Sequence, residues 1–164
     1  MAVNSKQKGN RQERVVAKKF QAWSGYDFCR TPMSGAMRNF DDERVISDIC
    51  VCMDLMKLGW KYSIEVKNVE YPWDFDNFLT GKNLFWAHWK QATDDADREK
   101  QRPILIFTKN RKKTYCALYQ RHLKFILGKL NVPHLDITTN DYDTISIIDF
   151  DLLLEKSKVK DWCS

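Results

Sequence analysis

The chain has 164 residues, 43% of them hydrophobic and 30% charged; that length and balance predict one compact globular domain, and no apolar run approaches the roughly 20 residues needed to span a bilayer. The net charge is +5, which suits a polyanionic partner without requiring one. Its placement is uneven: residues 1–20 hold the cations Lys6, Lys8, Arg11, Arg14, Lys18 and Lys19 against the single anion Glu13, a second basic stretch runs through Arg98, Arg102, Lys109 and Lys113, and acids gather toward the C-terminus.

Residues 10–23 combine helix formers with Val16, Phe20 and Trp23, and Gly25 stands where a helix stops, so a first helix is predicted there. Glu13 shares the stripe of Val16, Phe20 and Trp23, at spacings of three, seven and ten residues, which aims a carboxylate toward the core. The alternative is an edge residue lying beside Arg11 or Arg14. A short strand over residues 26–31 and a turn-rich loop, TPMSGAMRNFDDE, follow. Residues 45–53, VISDICVCM, read as a strand buried on both faces with Asp48 as its one charged interruption. Residues 60–69 alternate: Trp60, Tyr62, Ile64 and Val66 on one face, Lys61, Ser63, Glu65 and Lys67 on the other. This predicts a central strand or a neighbour of one.

After a connecting loop, residues 84–100 read as a helix with Leu84, Ala87, His88 and Gln91 near one stripe, stopped by Pro103. ILIFTK and KTYCALY predict a hairpin across KNRK, residues 120–130 a short helix, ISIIDF an edge strand and residues 152–158 a last short helix. The order predicts an α/β sandwich, a mixed central β-sheet flanked by helices.

Several chemistries are disfavoured. The five cysteines are an odd count without a CxxC pair, so a zinc site is not expected, and Cys50 and Cys52 read as small buried hydrophobes in a reducing cytosol. His88, His122 and His134 share no ligand or triad spacing, and the six glycines form no nucleotide-binding pattern. No secretory signal follows the basic N-terminus, so a cytoplasmic protein is expected. Trp73, Trp86 and Trp89 offer rings for base stacking, but core packing is their more frequent role.

Asp48 is the strongest anomaly, because a carboxylate inside a buried strand needs a cation beside it. Glu65 and Lys67 project from one strand face and converge with Asp48 if the strands pair; taken alone they also suit a solvated polar face. With Glu13, three carboxylates and a lysine offer oxygen ligands to a hard divalent cation, Mg2+ or Mn2+, and an ammonium to hold an attacking water. That combination suits phosphodiester hydrolysis.

S-D-I at residues 47–49 followed by I-E-V-K-N at residues 64–68 resembles the split motif of the PD-(D/E)XK nuclease superfamily. K-G-N-R-Q-E-R at residues 8–14 resembles the N-terminal signature of archaeal-type Holliday junction resolvases, and F-C-R-T-P-M-S-G is similar to the stretch preceding their Asp. The likeness covers about the first two thirds of the chain, with Gln91 where related nucleases often carry a helical Gln, which the resemblance places among the DNA-binding residues. It implies a restriction-endonuclease-like fold, with Glu13, Asp48 and Glu65 at the metal, the Val66 carbonyl as an extra ligand and Lys67 as the catalytic lysine. It also implies that Lys8, Arg14 and Arg30 contact phosphates, with Ser34 beside the scissile strand; Arg11 joins Lys8 and Arg14 by helical spacing.

Ser47 stands where Pro or a small apolar residue is usual, and the stretch of residues 35–44 is longer than in an archaeal resolvase, as in a viral or mobile-element relative. The implied protein is a Mg2+-dependent endodeoxyribonuclease that nicks four-way DNA junctions as a homodimer in the cytoplasm of a prokaryotic or virus-infected cell. Its catalytic core would span about residues 8–110, with an extension over about residues 111–164. The alternatives are a nuclease of the same fold acting on duplex, nicked or flapped DNA, and a non-catalytic basic DNA-binding module.

Overall fold

The computed structural model describes residues 5–31, 47–68, 80, 83–108 and 113–163. Ser34, Trp73 and the KNRK turn lie outside the described residues, as do the side chains of Lys6 and Lys8. Helix α1 (Ser5–Ser24) ends as predicted at Gly25, whose φ of 74° is open to a residue without Cβ and whose N–H closes the last turn on the Gln21 carbonyl at 2.9 Å. Strands β1 (Phe28–Arg30) and β2 (Ile49–Val51) then form a two-stranded antiparallel arm.

A five-stranded sheet carries the rest of the architecture, in the order β3 (Tyr62–Asn68), β4 (Arg102–Thr108), β5 (Thr114–Tyr119), β7 (Ile145–Asp149), β6 (His134–Ile137). β3 and β4 are parallel, joined through helix α3 (Leu84–Arg98), and the other pairs are antiparallel. Helices α2 (Met53–Lys57), α4 (Gln120–Leu127), α5 (Phe150–Lys156) and α6 (Val159–Trp162) complete a mixed sheet flanked by helices, consistent with a restriction-endonuclease-like fold. Among the described residues no helix is long and apolar enough to cross a membrane.

Register explains the layering. Val66, Ile106, Cys116 and Ile148 lie side by side across four strands, and their face packs against Val16 and Phe20 of α1, Leu123 and Ile126 of α4, Phe150 of α5 and Trp162 of α6. The neighbouring row, Glu65, Leu105, Ala117 and Ile147, faces Phe85, Trp89 and Ala92 of α3.

Several expectations are corrected. Of the strand expected over residues 45–53, residues 45–46 lie outside the described residues and the rest contracts to β2, because Ser47 and Asp48 form a bend before it and α2 begins at Met53. β3 is not itself central but neighbours the interior strand β4, the second of the two expected placements; among the described residues it lies at the sheet edge, where its outer side meets the Asp48 bend. ISIIDF is interior to the sheet, and the missed strand β6 takes the edge. On α3 the buried stripe is Phe85, Trp89, Ala92 and Ala96, because the large rings claim the sheet, which leaves Leu84 and Ala87 exposed and His88 and Gln91 half-buried beside it. Pro103 does not stop that helix, which ends at Arg98; it sits in β4 before pairing with β5 begins, where its missing N–H leaves no ladder bond unmade. Cys50 and Cys52 are half-buried at the arm rather than in the core.

Candidate active site

Asp48 ties the arm to the sheet. Its carbonyl accepts the Thr31 N–H, its N–H donates to the Ile64 carbonyl, and its carboxylate Oδ2 accepts the Val66 N–H, each at 2.9 Å. The expected buried-strand carboxylate is therefore a half-buried one at a bend, with a backbone donor as its partner. The Val66 carbonyl leaves β3 on the same edge, since the N–H and C=O of one strand residue point the same way.

Glu65 is deeply buried, 3% exposed, on the face covered by α3. Its Oε1 accepts Gln91 Nε2 at 2.6 Å and pairs with the Lys67 ammonium, while Oε2 is buried with no partner among the described residues. Burial first, then the Asp48 charge, pushes the Glu65 carboxyl up to about 7, against the opposing pull of Lys67.

Glu13 reaches the same place from the other side. It is buried on α1 with Val16 and Phe20, and it pairs with Arg30 Nε from β1. Burial and the Asp48 charge raise its pKa, while Arg30 and Lys67 draw it down, which places its carboxylate within the electrostatic reach of both Asp48 and Lys67. Four elements, α1, the arm, β3 and α3, thus bring Glu13, Arg30, Asp48, Glu65, Lys67 and Gln91 to one edge of β3. Arg11 and Arg14 lie exposed along the same helix as Glu13, without a described contact to this group. The side chains of Lys8 and Ser34 lie outside the described residues.

One neighbour escaped the sequence reading. His88 is half-buried, and burial first and then the Lys67 charge lower its pKa, so its ring is neutral at pH 7 and close to the lysine. Its signal was its position three residues before Gln91, one helical turn along the same stripe.

The donor chemistry fits a hard divalent cation. When all three are ionised, the carboxylates face two cations, Arg30 and Lys67, leaving one negative charge in excess, and Glu65 Oε2, without a partner among the described residues, is a buried oxygen suited to a positive one. Among the described residues no group of three or more histidine, cysteine or acidic side chains stands at ready-made ligand spacing; Glu13 pairs with Arg30, Glu65 with Lys67, and Asp48 accepts the Val66 N–H.

Against known families, the model described as "Phage putative PDDEXK endonuclease" matches residues 4–162. No curated protein and no solved structure matches the chain.

Proposed function

Since the chain belongs to the phage PDDEXK endonuclease family, we propose that it is a Mg2+- or Mn2+-dependent endonuclease that hydrolyses DNA phosphodiester bonds at the outer edge of β3, working as one nuclease domain. The observation that carries this reading is the unpartnered, buried Glu65 Oε2 beside Asp48 and Lys67, a surplus of negative charge that costs stability unless a cation uses it. Asp48 and Glu65 would hold the ion, with Glu13 and the Val66 carbonyl as further oxygen donors. Bound there, the ion supplies positive charge to the scissile phosphate and favours ionisation of the attacking water.

The rest belongs to the side chains. Gln91 holds Glu65 Oε1 at 2.6 Å and fixes the rotamer of that carboxylate. Lys67 exchanges its carboxylate partner for the attacking water or the phosphate oxygen on which charge develops. Arg30 holds Glu13 and offers its remaining guanidinium donors to a phosphate on the strand being cut. Lys8, Arg11, Arg14 and Ser34 extend that phosphate-binding rim.

In its finer form the reading is a resolvase acting in the cytoplasm of an infected cell. It nicks four-way junctions with a two-fold pair of sites, which a homodimer supplies by symmetry; the residue 8–14 signature supports this form. The test compares four-way junction, duplex, flap and single-stranded DNA with Mg2+, Mn2+, Ca2+ or EDTA, beside Asp48→Ala and Lys67→Ala. Cutting is expected with Mg2+ and Mn2+ alone, and both variants should lose about 1,000-fold in rate while binding DNA within a few-fold of the parent. Full activity in EDTA, or in either variant, overturns the site. Equal rates on all duplex substrates remove the junction preference and leave the nuclease.

A further inference from the structure

Cys29 and Cys50 face each other across the β1–β2 arm. They are register partners, and the flanking bonds from Cys52 N–H to the Asp27 carbonyl and from Thr31 N–H to the Asp48 carbonyl mark alternate residues, so Cys29 and Cys50 occupy a hydrogen-bonded pair position. Cα atoms at such positions are about 5.5 Å apart, inside the range that a disulfide spans. The two sulfurs are 2.6 Å apart, and Cys50 Sγ also lies 3.3 Å from the Cys29 carbonyl. Cys29 is exposed and Cys50 half-buried, so a small oxidant reaches the pair from solvent, whereas Cys116 is sealed in the core.

We propose that Cys29 and Cys50 are a modification site of this chain: a dithiol that a peroxide converts to a reversible disulfide. One sulfur, as thiolate, attacks a peroxide oxygen; the O–O bond breaks, and the thiol becomes a sulfenic acid as one water is released. The second thiol attacks that sulfur, the S–S bond forms, and the sulfenic oxygen departs with a proton as a second water. Two thiols lose two electrons and two protons, and one hydrogen peroxide is reduced to two waters. A dithiol reductant reverses the bond by exchange.

The bond joins the two ends of residues 29–50 across the arm, one residue from Arg30 and two from Asp48, so it fastens the segment that presents Arg30 to Glu13 of α1 and Asp48 to β3. The inference stands on the arm's geometry alone and holds whether or not the chain is a nuclease.

The test treats the full-length protein with hydrogen peroxide at pH 8.5 for hours, because the Cys50 sulfur and burial push the Cys29 thiol up to about 11. Free thiols are then blocked, and peptides are mapped by mass spectrometry. The expected product is a monomer containing a Cys29–Cys50 linked peptide, with thermal unfolding raised by roughly 5 °C or more and returned by dithiothreitol. Cys29→Ser should show neither the link nor the shift, and Cys50→Ala serves as a second control with a different side chain. A Cys50–Cys52 link, a disulfide between two chains, over-oxidation of either sulfur without a link, or thiols that remain free each overturn the proposal.

Discussion

The two faces of β3 differ in what they bury. Tyr62, Ile64 and Val66 enter an apolar layer in which Trp60 and Trp162 stack at 5.6 Å and Phe20 meets Trp23, Phe28, Trp60, Phe150 and Trp162 edge-on or stacked. Ser63, Glu65 and Lys67 enter the opposite side, under α3, where the sheet buries a carboxylate with one oxygen unsatisfied. One strand therefore carries a fully buried apolar face and, on its other side, a buried carboxylate with one oxygen unpartnered among the described residues. The apolar burial of the first face offsets the cost of holding charges out of water on the second, a cost that a solvated strand does not bear.

Trp162→Ala is expected to break the apolar face with the largest effect on stability. The side chain is fully buried against Phe20, Trp23, Trp60 and Tyr62, and its Nε1 donates to Ser157 Oγ at 2.9 Å. Truncation leaves a cavity and removes the donor to Ser157 Oγ, whose own O–H still donates to the Leu153 carbonyl at 2.7 Å, a loss of about 4 kcal/mol in urea unfolding. Cleavage per folded molecule should hold, because none of these rings contacts Asp48, Glu65 or Lys67 through a described bond. A fall in turnover larger than the unfolded fraction explains would show that the two faces are coupled.

On the charged face the sign reverses. In the metal-free protein Glu65→Gln should raise stability at pH 8, and with Mg2+ added the same variant should lose cleavage. The Glu65 carboxyl titrates near 7 in the fold and near 4.5 unfolded, so between those values the folded chain holds a proton that the unfolded chain has released. Stability then falls as pH rises through that window and stays low above it, by roughly 2–3 kcal/mol. The variant escapes this loss, so the two proteins should agree below about pH 4.5 and diverge above 7. Identical urea curves at pH 8 would mean that Lys67 and Gln91 already offset the burial.

How much of this the sequence disclosed follows the same division. The Glu13, Val16, Phe20 stripe and the alternation of Tyr62, Ile64 and Val66 against Glu65 and Lys67 were legible, because helical and strand periods are local properties. The setting of Asp48 was not. A run of β-branched residues reads as one long strand, whereas the bend depends on bonds to Thr31, Ile64 and Val66 made only in the tertiary fold. β6 was missed because HLDI is short and largely exposed, held by pairing with β7 rather than by a buried pattern. The stripe on α3 was displaced because hydrophobic spacing does not say which of two adjacent stripes wins, and Phe85 with Trp89 had more surface to bury than Leu84 with Ala87. The pairing of Cys29 with Cys50 needed the register of a strand pair whose members are 21 residues apart.

The smallest effect sharpens the comparison, since it places a titrating group at the rim of the apolar layer. His122 lies edge-on to both Tyr62 and Tyr119, its Nδ1 is buried without a partner among the described residues, and burial, then Arg121 and Arg102, lower its pKa to about 4. Between pH 6.5 and 4 the unfolded chain takes up a proton that the folded ring refuses, so stability is lost as pH falls, opposite in direction to Glu65. The ring is partly exposed, so solvent screening leaves about 1–2 kcal/mol of this term. His122→Gln has no such proton to gain, and its urea midpoint should fall less than the parent's between pH 6.5 and 4. Residues that titrate in both proteins cancel in the difference, which isolates this one ring. Parallel curves would show that His122 accepts its proton within the fold, and the acid limit of the apolar face would then belong to another group. A difference confined to this window would assign that acid-side loss to this half-buried ring, opposite in direction to the loss that the Glu65 carboxyl brings as pH rises.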